Sequence, residues 1–231
     1  MLQISLLGTF QVLREGEPLT GFRSDKTRAL LAYLAVEHGR AHRREALATL
    51  LWGERATTKD ARVSLRSALY NLRQTLAPLH ADNEGQGVPL LDVTRNTIRF
   101  NVEPPACWVD TDAFMTLEQV CQAHPHTDLV RCASCIQRLT RMVGLYRGDF
   151  LAGLTLPDSL AFEDWRLVQQ EVYHRQMLTA LGVLVAHYRV LGAYDQVVRY
   201  ARRQIALEPW REEGHRALME ALALSGQRSA A

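Results

Sequence analysis

Arg62, Arg66, Tyr70 and Arg73 follow one another at steps of four, four and three residues, which sets them on one face of a helix. Lys59, Ser67, Asn71 and Gln74 flank them. Side chains of these types suit a polyanion. A guanidinium grips a phosphate or pairs with both acceptors on a guanine edge, and the amides of Asn and Gln match adenine. Leu65, Leu69, Leu72 and Leu76 make the complementary apolar stripe, spaced as a helix needs to bury one side against a core. Taken alone, the pattern also describes an amphipathic helix whose basic face is merely solvated. Its surroundings must separate the two readings.

A second group with chemical capacity lies further on. Cys121, His124, His126, Cys132 and Cys135 fall within fifteen residues. Four of the five would complete a tetrahedral zinc site closing a helical hairpin, since thiolate and imidazole are ligands that zinc takes. Cys121 and His124 would share the end of one helix, Cys132 and Cys135 the start of the next. Two other readings stand beside zinc. Small cysteines can fill helix contacts while the histidines stay solvated, and Cys132 with Cys135 can form a redox pair, although no thioredoxin-like strand precedes it. Cys107 reads as structural.

The elements that must position the first group are legible from periodicity. Leu2 to Leu7 and Phe10 to Leu13 read as short strands, with turn residues Arg14 to Pro18 leading to a brief third strand. Ser24 is a candidate N-cap for a helix over 25–38 that Gly39 ends. A short second helix follows from Arg43 to Leu51, stopped at Trp52-Gly53. The basic helix occupies 59–77 and ends at Pro78. A loop over 79–88 precedes two runs, Pro89 to Val93 and Thr97 to Val102, that fold back around Thr94-Arg95-Asn96 as a hairpin.

Strands, three helices and a hairpin, in that order, predict a winged helix-turn-helix. Arg95 and Thr97 then sit at the wing, beside the basic helix. This context favours a duplex DNA reader over a solvated face. Pro104-Pro105 marks the end of a first domain, 1–104.

The remainder, 105–231, reads as helical throughout, at about 110–123, 131–146, 158–191, 193–207 and 210–224. The last two, with Pro209 between them and small residues at their crossing, resemble a tetratricopeptide unit, which needs the 158–191 helix packed beside it. The predicted class is therefore α+β: a small antiparallel sheet, three helices and a C-terminal β-hairpin wing, then an all-α, tetratricopeptide-like domain. Gly226 to Ser229 would open another repeat, so further C-terminal domains of a longer parent chain are expected.

Composition agrees. Lys and Arg number 27 against 25 Asp and Glu, and 47% of residues are hydrophobic, enough for real cores. From Arg40 to Arg73 there are eight basic residues and three acidic ones, a local surplus where the DNA-reading elements lie. Met1 to Gly8 lacks the basic and apolar regions of a signal peptide, and no window approaches the roughly 18 apolar residues of a membrane span. A cytoplasmic protein without membrane contact is expected, its four cysteines not forming a disulfide framework. No phosphate-cradling glycine loop, nucleophile elbow or metalloprotease helix is present in the sequence, so an enzyme is not expected.

Several segments carry a family likeness. Leu7-Gly8-Thr9-Phe10, Lys26 to Leu34, Leu51-Trp52-Gly53 and Leu69 to Leu76 resemble the Streptomyces antibiotic regulatory proteins, the SARP or AfsR-like activators. So do Val109 to Phe114 and Leu145 to Leu151 in the second half. The resemblance implies an OmpR-type winged helix followed by a bacterial transcriptional activation domain (BTAD). It implies binding to double-stranded promoter DNA, self-association on direct repeats, and contact with RNA polymerase through the loop Gly53 to Thr58. The competing expectation is a protein-interaction adaptor whose winged helix no longer binds DNA.

Overall fold

The computed structural model describes residues 1–53, 58–77, 90–102 and 106–226, and divides into two compact units: Met1–Ala113 with Gly148–Gln170, and Phe114–Arg147 with Glu171–Ala231. Residues 54–57 of the expected polymerase-contacting loop, Pro78, the 79–88 loop, Pro89, Pro104-Pro105 and residues 227–231 lie outside the described residues.

In the first unit, β1 (Leu2–Ser5) pairs antiparallel with β2 (Gln11–Arg14), which pairs with β3 (Glu17–Pro18). Alternation along β1 turns Leu2 and Ile4 into the core. Ser24 caps α1 (Asp25–Val36) as expected, its hydroxyl accepting from the Thr27 N–H at 3.3 Å. α2 (Arg44–Trp52) and α3 (Thr58–Leu76) follow, then the hairpin β5 (Leu91–Val93) and β6 (Thr97–Phe100). Leu65, Leu69, Leu72 and Leu76 of α3 are buried with Ala61 and Ala68, against the buried leucines of α1 and α2.

Two strands add to the expected order. His42–Arg43 pairs with β6, so the wing is a three-stranded sheet, and Cys107–Val109 pairs with β1 in parallel, so the opening sheet is mixed. We number these β4 and β7. At two and three residues each, neither shows a period. They form because partners distant in sequence offer free edges.

Residues 148–170 also belong to this unit, although the helical half supplies them. Leu151 N–H donates to Leu6 C=O at 2.9 Å and Ala152 N–H to Gly8 C=O at 2.9 Å. The buried Asp110 carboxylate, at the start of α4 (Asp110–Ala123), accepts from Leu6 N–H at 2.8 Å and Leu7 N–H at 3.0 Å, satisfying donors that leave β1 without a strand partner. Trp165, in the first part of α6 (Leu160–Val190), packs on Tyr33, Phe150 and Phe162, and its indole N–H donates to Glu37 at 3.1 Å. Phe150 and Phe162 are core, with Tyr33 and Trp165 half-buried beside them.

The second unit is helical. It comprises most of α4, a 3-10 turn (Leu129–Arg131), α5 (Ala133–Leu145), the later part of α6, α7 (Tyr194–Leu207) and α8 (Glu212–Leu224). All five predicted helices are present, with ends shifted by a few residues. Phe114 packs edge-on to the buried Tyr173, and Tyr188 of α6 stacks on Tyr200 of α7 at 5.6 Å. α7 and α8 form the predicted helical hairpin. They cross where Gly214 leaves so little room that a Cβ would lie 3.1 Å from Ile205 Cγ1. Among the described residues, no helix is long and apolar enough to cross a membrane.

Candidate nucleic-acid interface

Arg14 caps the C-terminal end of α3 from β2, its guanidinium donating to the Leu76 and Ala77 carbonyls at 2.6 Å each. The helix is thus fixed at that end while its apolar stripe fixes its rotation. Arg62, Arg66, Ser67, Tyr70, Arg73, Gln74 and Lys59 all stand exposed on the opposite surface. Tyr70 is 60% exposed and Val63 55%. Such apolar exposure on a basic helix suits a thymine methyl group or the sugar backbone.

The wing is held against this helix pair by backbone. Arg44 N–H donates to Asn96 C=O at 2.9 Å, and the Arg44 guanidinium reaches Thr94 C=O at 3.4 Å. Within the turn, Thr94 Oγ1 accepts from the Thr97 N–H at 3.0 Å and lies 2.8 Å from Thr97 Oγ1, which presents Arg95 outward at the tip.

Between α3, the start of α2 and the wing tip lies a cleft of about 900 Å³. Arg43, Arg44, Arg62, Arg66 and Arg95 line it with Asn96 and Thr97, and Glu45 is the single acid among the described residues that line it. Five guanidinium groups around one opening concentrate positive potential where a phosphate chain could run. The cleft brings together Arg62, Arg66, Arg95 and Thr97, which the sequence had singled out. It adds Arg43, Arg44 and Asn96. The basic surplus from Arg40 to Arg73 was the available signal for the two arginines, but only pairing of β4 with β6 carries them to the wing.

Asn71 does not join this surface. It is buried, its carbonyl accepting from Arg23 N–H at 3.0 Å and its amide donating to Gly21 C=O at 2.9 Å. At 100° per residue it falls on the flank of α3 away from the arginines, beside Thr75, whose hydroxyl also donates to Gly21 C=O at 3.1 Å. This corrects the expectation that Asn71 reads a base.

The cysteine and histidine group lies in the second unit. His124, His126, Cys132 and Cys135 offer ligand atoms that all lie within 4.8 Å of one another. Cys121 stands apart as a buried thiol that donates to Cys135 C=O at 3.7 Å, its pKa pushed up to about 11 by burial. The Cys132 thiol is drawn below its ordinary value by the neighbouring Ser134 hydroxyl and Cys135 N–H. Cys107 is buried in β7, its thiol pushed up to about 12 by desolvation, in keeping with a structural role.

A sequence model of the family described as "Bacterial transcriptional activator domain" matches residues 109–231. The chain belongs to this family. That is the family to which the likeness with the Streptomyces antibiotic regulatory proteins pointed. In fold, this activator-domain protein is similar to Mycobacterium tuberculosis EmbR, solved in complex with a low-affinity phosphopeptide, at a TM-score of 0.69 and 23% identity. The match covers 99% of this chain and 56% of that one, so this chain spans little more than half the length of the mycobacterial protein. No curated protein sequence matches it.

The family match begins at Val109, so the activator domain as sequence defines it includes both Asp110 and residues 148–170, which pack in the first unit. The activator-domain protein thus places the opening of the family-matched segment inside the compact unit that carries the basic cleft.

Proposed function

We propose that this protein is a transcriptional activator that binds double-stranded promoter DNA through α3 and the β5–β6 wing and recruits RNA polymerase. The observation that carries the reading is the cleft itself, five guanidinium groups converging between the exposed face of α3 and the wing tip. The arrangement matches a winged reader in which the third helix enters the major groove and the wing lies on the backbone or minor groove. Lys59, Arg62, Arg66, Ser67, Tyr70, Arg73 and Gln74 supply the helix contacts, Arg95 and Thr97 those of the wing. Membership of an activator family supports the second step. Polymerase contact falls to the loop Gly53 to Thr58 between α2 and α3, and tandem copies on direct repeats would set the spacing of a promoter site.

Fluorescence anisotropy on the promoter fragment adjoining the encoding gene tests this. The triple variant Arg62→Ala, Arg66→Ala, Arg73→Ala should lose binding and flatten its dependence on salt, because each phosphate neutralised contributes about 0.9 to the slope of log K against log salt. If the unaltered protein leaves duplex DNA unbound, the adaptor reading replaces this one. The helical unit then carries the function, where Val190, Leu191, Trp210, Met219 and Leu224 are exposed.

A further inference from the structure

The basic cleft leaves unused a second place where reactive side chains converge, the connection between α4 and α5. His124 follows directly on the last residue of α4, and His126 comes two residues later. Cys132 sits at the N-cap of α5, with Cys135 one turn into the helix on the same face. Two ligand pairs therefore approach from the two ends of one connection, each held by a helix terminus.

Three of the separations come close to those of a coordination sphere, and all four ligand atoms lie within 4.8 Å of one another. Cys132 Sγ lies 3.6 Å from His124 Nδ1, Cys135 Sγ 3.5 Å from His124 Nδ1, and Cys135 Sγ 3.9 Å from His126 Nδ1. A tetrahedron with zinc–sulfur and zinc–nitrogen bonds of ordinary length has edges of about 3.3–3.8 Å. The rings of His124 and His126 are nearly parallel at 5.7 Å, and both bring Nδ1 to within 3.9 Å of Cys135 Sγ. Unrelated side chains seldom converge so closely, and two sulfurs with two imidazoles form a donor set suited to zinc.

The local structure has few other sources of order among the described residues. From His124 to Cys132 no residue is fully buried, and the segment has one 3-10 turn, N-capped by Asp128 through Val130 N–H at 2.9 Å. His187 Nδ1 donates to Val130 C=O at 2.6 Å and ties this turn to α6. A chain of this kind gains order chiefly from cross-links, and a metal supplies one between its two ends. The Arg138 guanidinium, donating to Cys135 Sγ at 3.7 Å, would support a bound thiolate from outside the sphere.

We propose that His124, His126, Cys132 and Cys135 bind one structural zinc ion that fixes the α4–α5 connection, with Cys121 outside the sphere. The site is closed, since four protein ligands fill a tetrahedron and leave no position for substrate. It is independent of DNA binding. The chain of interest is purified without a metal-affinity step and its metal measured by mass spectrometry. About one zinc per chain is expected. It should fall to background in Cys132→Ser with Cys135→Ser, and remain in Cys121→Ala and Cys107→Ala. Replacement of zinc by cobalt in the unaltered protein should give the intense visible bands of tetrahedral cobalt with sulfur-to-metal charge transfer, a readout that stands even where the double variant fails to fold. Chelation should speed amide exchange across 124–135 and leave α8 unchanged. A folded, metal-free protein that takes up no cobalt, an octahedral cobalt spectrum, retention of zinc in the double variant, or loss of zinc in Cys121→Ala would each overturn the proposal. So would a Cys132–Cys135 disulfide in the freshly purified, folded chain.

Discussion

The Glu45 carboxylate pairs with the Arg62 guanidinium across the basic cleft, both side chains more than half exposed, at 70% and 56%. An ion pair so open to water contributes about 0–1 kcal/mol. Its effect on a polyanion is larger, because Glu45 both occupies one guanidinium and repels phosphate. Glu45→Gln should therefore tighten promoter binding by about 3- to 10-fold and steepen its salt dependence, while the thermal midpoint stays unchanged. Weaker binding would show that Glu45 orients Arg62 for its contact.

Arg66 and Arg95 line the same cleft from different elements, and their losses should differ in kind. Arg66 projects from α3, the helix proposed to enter the groove. Arg66→Ala should cost about 1–3 kcal/mol against the cognate duplex and relax discrimination at one position. Arg95 stands at the wing tip, so Arg95→Ala should weaken cognate and scrambled duplexes alike and lower the salt slope by about 1. Parallel titrations on both duplexes would distinguish these outcomes.

Asn71 binds the Gly21 carbonyl and the Arg23 amide, and so joins α3 to the segment before α1. Asn71→Ala leaves both partners short of a hydrogen bond, at a cost of about 1–3 kcal/mol in urea denaturation. Base preference of the folded variant should be unaltered. A changed operator preference with unchanged stability would return Asn71 to the reading surface.

Cys107 provides a pH signature. Burial holds its thiol neutral up to about 12, whereas in the unfolded chain it ionises near the ordinary thiol value of about 8.5. The unfolded state therefore releases its proton first. Stability from this group is complete below the unfolded value and declines as pH rises from there towards 12. Cys107→Ala should flatten that alkaline decline, as followed by denaturation at a series of pH values. In the native protein the buried Cys107 should resist alkylation under conditions that label it once the chain is unfolded.

Gly214, in the first turn of α8, packs against α7, with Ile205 Cγ1 3.1 Å from the position a Cβ would take. A Cβ there would also lie 3.5 Å from Gln204 Cβ, so the position favours a residue without a side chain. Gly214→Leu should force the helices apart at a cost of about 1–3 kcal/mol, measured as faster amide exchange in α7 and α8. Unchanged protection would mean that Ile205 can move aside freely.

The helices of both halves were legible in the sequence because each carries a long period: the leucine stripe of α3, the spacing of Val197, Tyr200 and Ala201 in α7, the serine cap of α1. The wing was legible from β-branched runs around a three-residue turn. So was the basic face of α3, since charge and helical spacing are local properties. Asn71 was misassigned because its residue type was weighed above its angle on the helix, and because the Gly21 and Arg23 groups it serves lie some fifty residues away.

Local pattern thus determined which elements form, which side of each is apolar, and that one helix carries a cationic face. Tertiary structure alone decided that β4 brings Arg43 and Arg44 to the wing, that β7, Asp110 and residues 148–170 complete the first unit, and that His124, His126, Cys132 and Cys135 converge without Cys121. The reason is physical. Strands of two or three residues and isolated backbone bridges have no periodicity to read. Their stability resides in hydrogen bonds to partners up to about 145 positions away, which exist only once the chain has closed on itself.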